Sequence, residues 1–326
     1  MYRAYLAARL LTQILSSPDP DEATRIPPIS WPVISAGRQI PADLYVSPSP
    51  VLPLPSGEME HPPGRRVGVR GRPGVVVVHG AIPDGKDDPR LQHLCRALAR
   101  AGFVVLVPDI AALKAARLDP AMADEVAAAA ASLTGATGRP VGLVGVSIGA
   151  GPVLMAAARP ELRERVAFIL TIGGYASLRS VLETALATPT TALAPEMAEA
   201  REEMRRMLIE ANADLLGETA DRLRRDPGRI PRWEDMPAAL RNAAEALSPE
   251  GGIASLRAPL FLAHSETDPV IAPAESRRLY DAARRAGIPA RLVTFRLFSH
   301  VDRAGPPRPA DLWRVFSLLY SVLSFL

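Results

Sequence analysis

Cysteine and lysine are scarce in this chain. Cys95 is the single cysteine among 326 residues, which excludes an intramolecular disulfide and a zinc site made of four cysteines. Lysine occurs only at Lys86 and Lys114, so nearly all of the 38 basic residues are arginine. They form no run of the kind that binds nucleic acid, and the net charge is only +3. We therefore predict no nucleic-acid partner.

Aromatic residues are also few, at 5% of the chain. The apolar stretch at 311–326 is shorter than the roughly 20 residues that cross a bilayer, and it carries Arg314. It predicts a buried final helix, and burial of its last turn in a homodimer interface stays open. The apolar fraction of 48% and the charged fraction of 22% exclude global disorder, collagen and coiled coil. The length predicts one large domain or a domain with an insertion.

The N-terminal residues predict an amphipathic helix. Arg9 interrupts the apolar stretch that a signal peptide requires, so we expect no signal peptide and a cytoplasmic protein. The apolar residues between Tyr2 and Leu15 fall on one helix face. Residues 1–29 are thus interpreted as a helical arm that packs on its own core or on a partner subunit. Attachment to a membrane surface is the less favoured alternative.

From residue 74 onward, apolar strand patterns alternate with helical patterns, after a proline-rich region at 20–64 that holds two short strand candidates. The main strands are predicted at 75–78, 103–107, 141–146, 166–172, 259–264 and 291–297. The helices between them are predicted at 88–101, 120–134, 152–159 and 274–287. Such alternation is typical of a parallel α/β sheet with right-handed crossovers.

One interval, residues 178–250, contains no strand pattern. It is rich in Ala, Glu, Arg, Leu and Met, which all favour helices. We interpret it as an inserted helical cap, with residues 30–177 and 251–326 forming the α/β core. Within it, Met197, Met204 and Met207 recur at helical spacing. They are candidate substrate-binding residues, although holding the cap together is the simpler interpretation.

The segment Gly145-Val146-Ser147-Ile148-Gly149 lies where a predicted buried strand meets a helix. A serine on such a sharp turn adopts strained dihedral angles, and the small flanking glycines prevent clashes. The helix that follows directs its first N–H groups at the same point. A phosphate-binding turn is the alternative, but no Gly-x-Gly-x-x-Gly follows the first long strand. Ser147 is therefore a candidate nucleophile.

A serine nucleophile needs a base and an acid. In this architecture they follow in the order nucleophile, acid, histidine. Only His264 and His300 come after Ser147. If His300 is the base, Asp268 lies at a suitable strand end, with Glu266 as the substitute acid. His264 would require an acid from the helical insert, which is the less favoured arrangement.

With these motifs the chain resembles the α/β-hydrolase family, and a serine carboxylesterase with a helical cap in particular. The matching segments are His79-Gly80-Ala81, Ala101-Gly102-Phe103, Val107-Pro108-Asp109, Gly145–Gly149, Asp268-Pro269 and Ser299-His300. The resemblance covers about residues 74–302 and does not specify a substrate. The single glycine after His79 departs from the glycine run of hormone-sensitive-lipase-type esterases. Dienelactone hydrolases would need a cysteine nucleophile, whereas Cys95 is expected in the core.

The resemblance implies a role for each residue. Ser147 would attack a carbonyl carbon, His300 would transfer the proton, and Asp268 would orient and stabilise His300. The backbone N–H groups of Ala81 and Ile148 would form the oxyanion hole. No cofactor and no metal are implied.

The expected function is hydrolysis of small to medium acyl esters. Alternatives are a peptidase, thioesterase or acyltransferase with the same triad, and a catalytically silent hydrolase fold that binds a ligand.

Overall fold

The computed structural model describes residues 2–16, 26–47, 68–186, 195–226, 228–297 and 308–326. The proline-rich stretch 48–67 and the segment 298–307, which contains His300, lie outside these ranges. The strands are β1 Ile29–Ser30, β2 Val33–Ser35, β3 Arg38–Ile40, β4 Ala42–Tyr45, β5 Gly74–Val78, β6 Val104–Pro108, β7 Val141–Val146, β8 Val166–Ile172, β9 Leu260–Ser265 and β10 Ala290–Phe295.

Eight strands form one sheet in the order β1-β4-β6-β5-β7-β8-β9-β10. All neighbours from β6 to β10 run parallel, while β4 and β1 add an antiparallel edge. The central strand β5 is Gly-Val-Val-Val-Val with every residue buried, as a strand covered by helices on both faces requires. The six strands predicted from residue 74 onward are confirmed to within one or two residues. The remaining strands, β2 and β3, pair in a separate hairpin.

The helices cover both faces of the sheet. They are α1 Tyr2–Leu15, α2 Pro89–Ala101, α3 Ala111–Lys114, α4 Met122–Thr137, α5 Ala150–Ala157, α6 Leu178–Leu186, α7 Pro195–Ala211, α8 Ala213–Leu216, α9 Glu218–Arg225, α10 Ala238–Ala246, α11 Pro273–Arg285 and α12 Pro309–Val322. Helices α4, α5 and α11 share one apolar cluster with one face of the sheet. Helices α1, α2 and α12 share a second cluster with the other face. Because successive strand residues point to opposite faces, each strand contributes to both clusters.

The described residues between β8 and β9 are helical or irregular and include α6 to α10. Two buried polar side chains connect these helices to one another and to the core. Asn212 accepts a hydrogen bond from Leu118 N (2.8 Å) and donates to Ala116 O (2.9 Å), which joins α7 to the segment after α3. Arg205 donates to Leu186 O and Leu223 O, which joins α7 to α6 and α9. The cap boundaries at 178 and 250 stay a prediction.

Helix α1 packs against α2 and α12 through Leu6, Ala7 and Leu10. Its outer face leaves Tyr2 and Tyr5 exposed. Helix α12 carries Trp313, which is exposed and stacked on Phe316. Among the helices of the described ranges, none combines the length and the apolar composition that crossing a bilayer demands.

Candidate active site

Ser147 directly follows β7 and opens a 3₁₀ turn, Ser147–Gly149, that continues into α5. Its φ is +53°, in the left-handed region that disfavours residues with a Cβ. Such a conformation costs of the order of 1–3 kcal/mol and persists only where the surroundings enforce it. The strained turn predicted for Gly145–Gly149 is confirmed. It places Ser147 at the carboxyl edge of the parallel strands.

The two glycines of the turn have no room for a side chain. A Cβ on Gly145 would lie 2.5 Å from Ala150 Cα, and one on Gly149 would lie 2.2 Å from His79 O. Both contacts are with backbone atoms, which cannot rotate away as a side chain would. These close approaches let α5 begin directly behind the serine and let the segment after β5 pass beside it.

The segment after β5 is held against Ser147 by His79. A Cβ on Gly80 would lie 3.2 Å from Ser147 Cβ, so the backbone of Gly80 is adjacent to the serine. The buried imidazole of His79 accepts a hydrogen bond from Ile110 N at Nε2 (3.1 Å). Its other nitrogen, Nδ1, therefore carries the proton and donates to Gly80 O (2.8 Å). Burial lowers the pKa of His79 and so favours this neutral form.

The two lysines of the chain support the same segment. Lys86 Nζ pairs with Asp43 on β4 (3.1 Å), and its backbone N–H reaches Asp109 Oδ1 (3.4 Å). Lys114 Nζ pairs with Asp109 Oδ2 (3.1 Å). Residues 85–88 are thus connected to the ends of β4 and β6. Sequence reasoning missed this network because the partners are distant along the chain.

The backbone donors predicted for an oxyanion hole, Ala81 and Ile148, both line the cavity that contains Ser147. Ile148 lies in the first turn of a helical segment, where N–H groups have no partner within the helix. Ala81 directly follows Gly80, whose backbone lies beside Ser147. Both positions are compatible with donation to one oxygen in front of Ser147 Oγ.

Asp268 lies in the loop after β9, with its side chain wholly buried. Its Oδ1 accepts hydrogen bonds from Val270 N and Ile271 N, both at 2.9 Å. Strands β7 and β9 are separated only by β8, so Ser147 and Asp268 follow strand ends that are about 10 Å apart at the same edge. The structure therefore brings these two predicted residues to one region of the molecule.

His264 is fully buried in β9 and holds the Asp268 loop. Its Nε2–H donates to Ile271 O (2.9 Å), and Nδ1 pairs with the Ser276 hydroxyl (2.6 Å). Asp268 Oδ2 lies 3.5 Å from Nε2. Both ring nitrogens are thus engaged inside the core, which agrees with the disfavoured status of His264 as the base. Sequence reasoning did not find its supporting role, which depends on contacts across a turn.

Glu266, the substitute acid, points elsewhere. Its carboxylate pairs with Arg296 (2.8 Å) and accepts from Thr294 Oγ1 (3.2 Å). The hydrogen bond from Arg296 lowers the pKa of Glu266. The side chain is 32% exposed, in contrast to the buried carboxylate of Asp268.

His300, the predicted base, lies outside the described residues, and so does its neighbour Ser299. Strand β10, which precedes it in the chain, runs parallel to β9 and ends at the same edge of the sheet. The chain therefore enters the segment 298–307 from the edge that carries Ser147 and Asp268.

Ser147 opens into a cavity of about 910 Å³ with a mainly apolar lining. Met204 and Met207 of α7 line it, as do Leu178 and Leu182 of α6. Met197 lies in α7, but its side chain is outside the described set. Cys95 is fully buried in the core, as expected.

Residues 75–315 match the sequence model of the Alpha/beta hydrolase family. The chain belongs to this family. The match spans Ser147, Asp268 and His300, and the sheet order with a serine turn after β7 agrees with it. No curated protein sequence matches this hydrolase-family chain.

Solved structures with the same fold include hydrolases of several kinds. A puromycin-hydrolyzing peptidase of Mycobacterium tuberculosis is 20% identical, with a TM-score of 0.58, and the match covers 94% of this chain and 40% of that one. An esterase of Pyrococcus furiosus is 10% identical, with a TM-score of 0.53, and the match covers 96% and 94%. A dienelactone hydrolase of Anabaena variabilis is 18% identical, with a TM-score of 0.50, over 91% and 96%.

The peptidase chains are much longer than this hydrolase-family chain. In five peptidase structures with the same fold, this chain spans between 36% and 42% of the peptidase's length. At these identities the likeness concerns the fold.

The close backbone contact at Gly149 predicts a loss of stability on Gly149→Ala. A Cβ 2.2 Å from His79 O forces the backbone to shift, and overpacking of this kind costs about 1–3 kcal/mol. Gly135→Ala is the matched control, because Gly135 is exposed in α4 with open space around it. We expect Gly135→Ala to raise the free energy of unfolding by roughly 0.5–1 kcal/mol. Chemical denaturation measures the free energy of unfolding of both variants. Equal stability of the two variants would contradict a close backbone contact at Gly149.

The His79 bonds predict a pH-dependent contribution to stability. His79→Gln removes the Nδ1–H donor and should cost about 1–3 kcal/mol near neutral pH. Because the folded pKa of His79 is lowered, its stabilisation is complete above the unfolded value of about 6.5 and is lost as pH falls through the folded pKa. The difference in unfolding free energy between wild type and variant should shrink in acid. A difference independent of pH is the contrary result.

Proposed function

We propose that this protein is a serine hydrolase that cleaves carboxylic esters through an acyl-enzyme intermediate. The observation that carries the proposal is Ser147 itself. It is held in a left-handed conformation at the head of α5, beside Gly80, and opens into an apolar cavity. A fold seldom maintains this strain without a functional use for the hydroxyl.

In the proposed reaction, Ser147 Oγ attacks the ester carbonyl carbon while His300 takes its proton. The N–H groups of Ala81 and Ile148 stabilise the oxyanion, and removing one such donor typically costs about 3–4 kcal/mol. The tetrahedral intermediate collapses and releases the alcohol, which leaves with the proton from His300. Water then attacks the acyl-enzyme by the same steps, which frees the carboxylic acid and Ser147. Asp268 orients His300 and stabilises its charged form.

The buried carboxylate of Asp268 supports its role as the acid. Two backbone N–H groups fix Oδ1, and His264 fixes the loop from the other side. Oδ2 belongs to the same fixed carboxylate, 3.5 Å from Nε2 of His264, and we propose that this carboxylate orients the imidazole of His300. Because the loop is held by backbone and core contacts, the carboxylate needs no rearrangement during the reaction.

Ester hydrolysis is favoured over peptide hydrolysis by the apolar lining around Ser147, which offers few polar partners for a peptide backbone. From the sequence we expect small to medium acyl esters. Peptidases share the fold, so cleavage of amides and thioesters is measured beside cleavage of esters. Product analysis with competing thiol and alcohol acceptors detects acyl transfer. A silent hydrolase fold would cleave none of these substrates.

Ser147→Ala should abolish hydrolysis of nitrophenyl acetate and butyrate, with a loss of kcat of at least about a thousandfold. A fluorophosphonate probe should label wild type at Ser147, located by peptide mass spectrometry, and should not label the variant. Activity that survives the substitution disproves the role of Ser147. Absence of labelling on folded wild-type protein favours a silent fold.

Asp268→Asn should lower kcat for the same esters by roughly 10⁴-fold, because the amide cannot stabilise a charged histidine. Its carbonyl oxygen can still accept from Val270 N and Ile271 N, so the loop should keep its structure. Glu266→Gln, two residues away in an exposed ion pair, is the control and should stay within about twofold of wild type. A larger loss for Glu266→Gln than for Asp268→Asn reverses the assignment of the acid.

A further inference from the structure

The residues that line the cavity at Ser147 fall into two groups, which we call its two arms. One lies under the cap and is lined by α6 and α7. The other, the sheet-face arm, lies between the sheet and helices α1, α2 and α12. Its walls come from the second apolar cluster of the core. Ser147 lies where the arms meet, because Val146 before it faces the second arm and Ile148 after it packs with the first cluster.

The floor of the sheet-face arm begins directly behind the serine. Val146, Ile172 and Ala263 are register partners on β7, β8 and β9, so they form one row across the sheet. All three line the cavity. Residues at the ends of central parallel strands are normally covered by helices, yet Val146 and Ile172 are only partly buried. The partial exposure of Val146 and Ile172 marks open space in front of these two residues, beside Ala263, which is buried.

The arm continues down the sheet. Val144 and Leu170 form the next row, and Phe168 lies over Gly142 in the row after that. Because each row is two residues further along the strands, the floor extends about 13 Å from Val146. That length accommodates an aliphatic chain of about ten carbons at roughly 1.5 Å per bond.

The opposite wall is apolar as well. It is formed by Leu10 and Ile14 of α1, Leu94 and Leu98 of α2, and Leu318 and Val322 of α12. The polar lining residues on this side, Ser16, Asp88, Arg90 and His93, belong to the end of α1 and the start of α2. An apolar cavity of about 150 Å³ already binds benzene, so a space of this kind next to a nucleophile suits an aliphatic chain.

We propose that the sheet-face arm binds the aliphatic chain of a long-chain, lipid-like ester whose carbonyl group lies at Ser147. This rests on the proposed function, and it extends the substrate beyond the small to medium esters expected from the sequence. The apolar floor and wall recognise the chain, and the cap arm holds the other side of the ester.

The test compares two series of esters: nitrophenyl esters from acetate to dodecanoate, and acetates of alkanols of the same lengths. In at least one series kcat/KM should rise about threefold to fourfold for each added methylene, up to about ten carbons. Ala263→Phe places a ring on the floor of the arm. It should lower the ratio of kcat/KM for the ten-carbon to the four-carbon substrate by at least about tenfold.

Val293→Phe is the matched control. Val293 is the register partner of Ala263 on β10 and belongs to the same apolar cluster, but it does not line the cavity. It should leave the ratio unchanged even if it lowers the Tm. Ala263→Phe is also expected to lower the Tm, because Ala263 is buried in the same apolar cluster, so the ratio and not the Tm distinguishes the two variants. Should Ala263→Phe fail to fold, Ile172→Trp blocks the same row from a partly exposed position.

Two results overturn the proposal. One is efficient, Ser147-dependent cleavage of short esters with no gain from chain length in either series. The other is an equal change of the ratio in Ala263→Phe and Val293→Phe. If no ester is cleaved, the proposed function fails separately, and the arm is tested by displacement of a fluorescent fatty acid with decanoate. Displacement from wild type that is weakened in Ala263→Phe supports the arm, and absence of binding disproves it.

Discussion

The left-handed backbone of Ser147 is the constraint on which the site depends. It turns the chain sharply from β7 into α5 and leaves the hydroxyl at the carboxyl edge of the sheet. The turn exists only because Gly145 and Gly149 let Ala150 and the backbone of His79 approach closely. The strain is of order 1–3 kcal/mol and is balanced by packing of β5, which is fully buried, and of β7, which is buried except for Val146.

Two buried histidines act as supports on either side of this turn. His79 fixes the segment that contains Gly80 by bonding to both Gly80 O and Ile110 N. His264 fixes the Asp268 loop by bonding to Ile271 O and to Ser276. Each uses both ring nitrogens within the core. Their hydrogen bonds hold loops at the sheet edge with the rigidity that a preorganised site requires.

The helices between β8 and β9 and the helical layer on the other face of the sheet shape the space around Ser147. Asn212 and Arg205 join the helices between β8 and β9 to each other and to the core through buried hydrogen bonds. Helices α1 and α12 cover the other face of the sheet without filling the region in front of Val146 and Ile172. The cavity therefore extends both above the sheet edge and behind it.

The sequence by itself determined the sheet strands after residue 74, the serine turn and the helical character of the insert. These are local signals: buried apolar runs, small residues at a strand-to-helix junction, and helix-forming composition. It also ranked Asp268 above Glu266 as the acid, which stays a prediction; in the structure the carboxylate of Asp268 is buried and bonded to backbone N–H groups, and that of Glu266 pairs with Arg296. His300 as the base stays a prediction from chain order.

Only the tertiary structure decided the roles of His79 and His264, the lysine–aspartate network and the sheet-face arm. Each depends on contacts between residues far apart along the chain, such as His79 with Ile110 or Lys86 with Asp43. The arm depends on the row Val146, Ile172 and Ala263, which strand register alone brings together. Periodicity shows which face a residue occupies, but the space in front of that face is set by how distant helices pack.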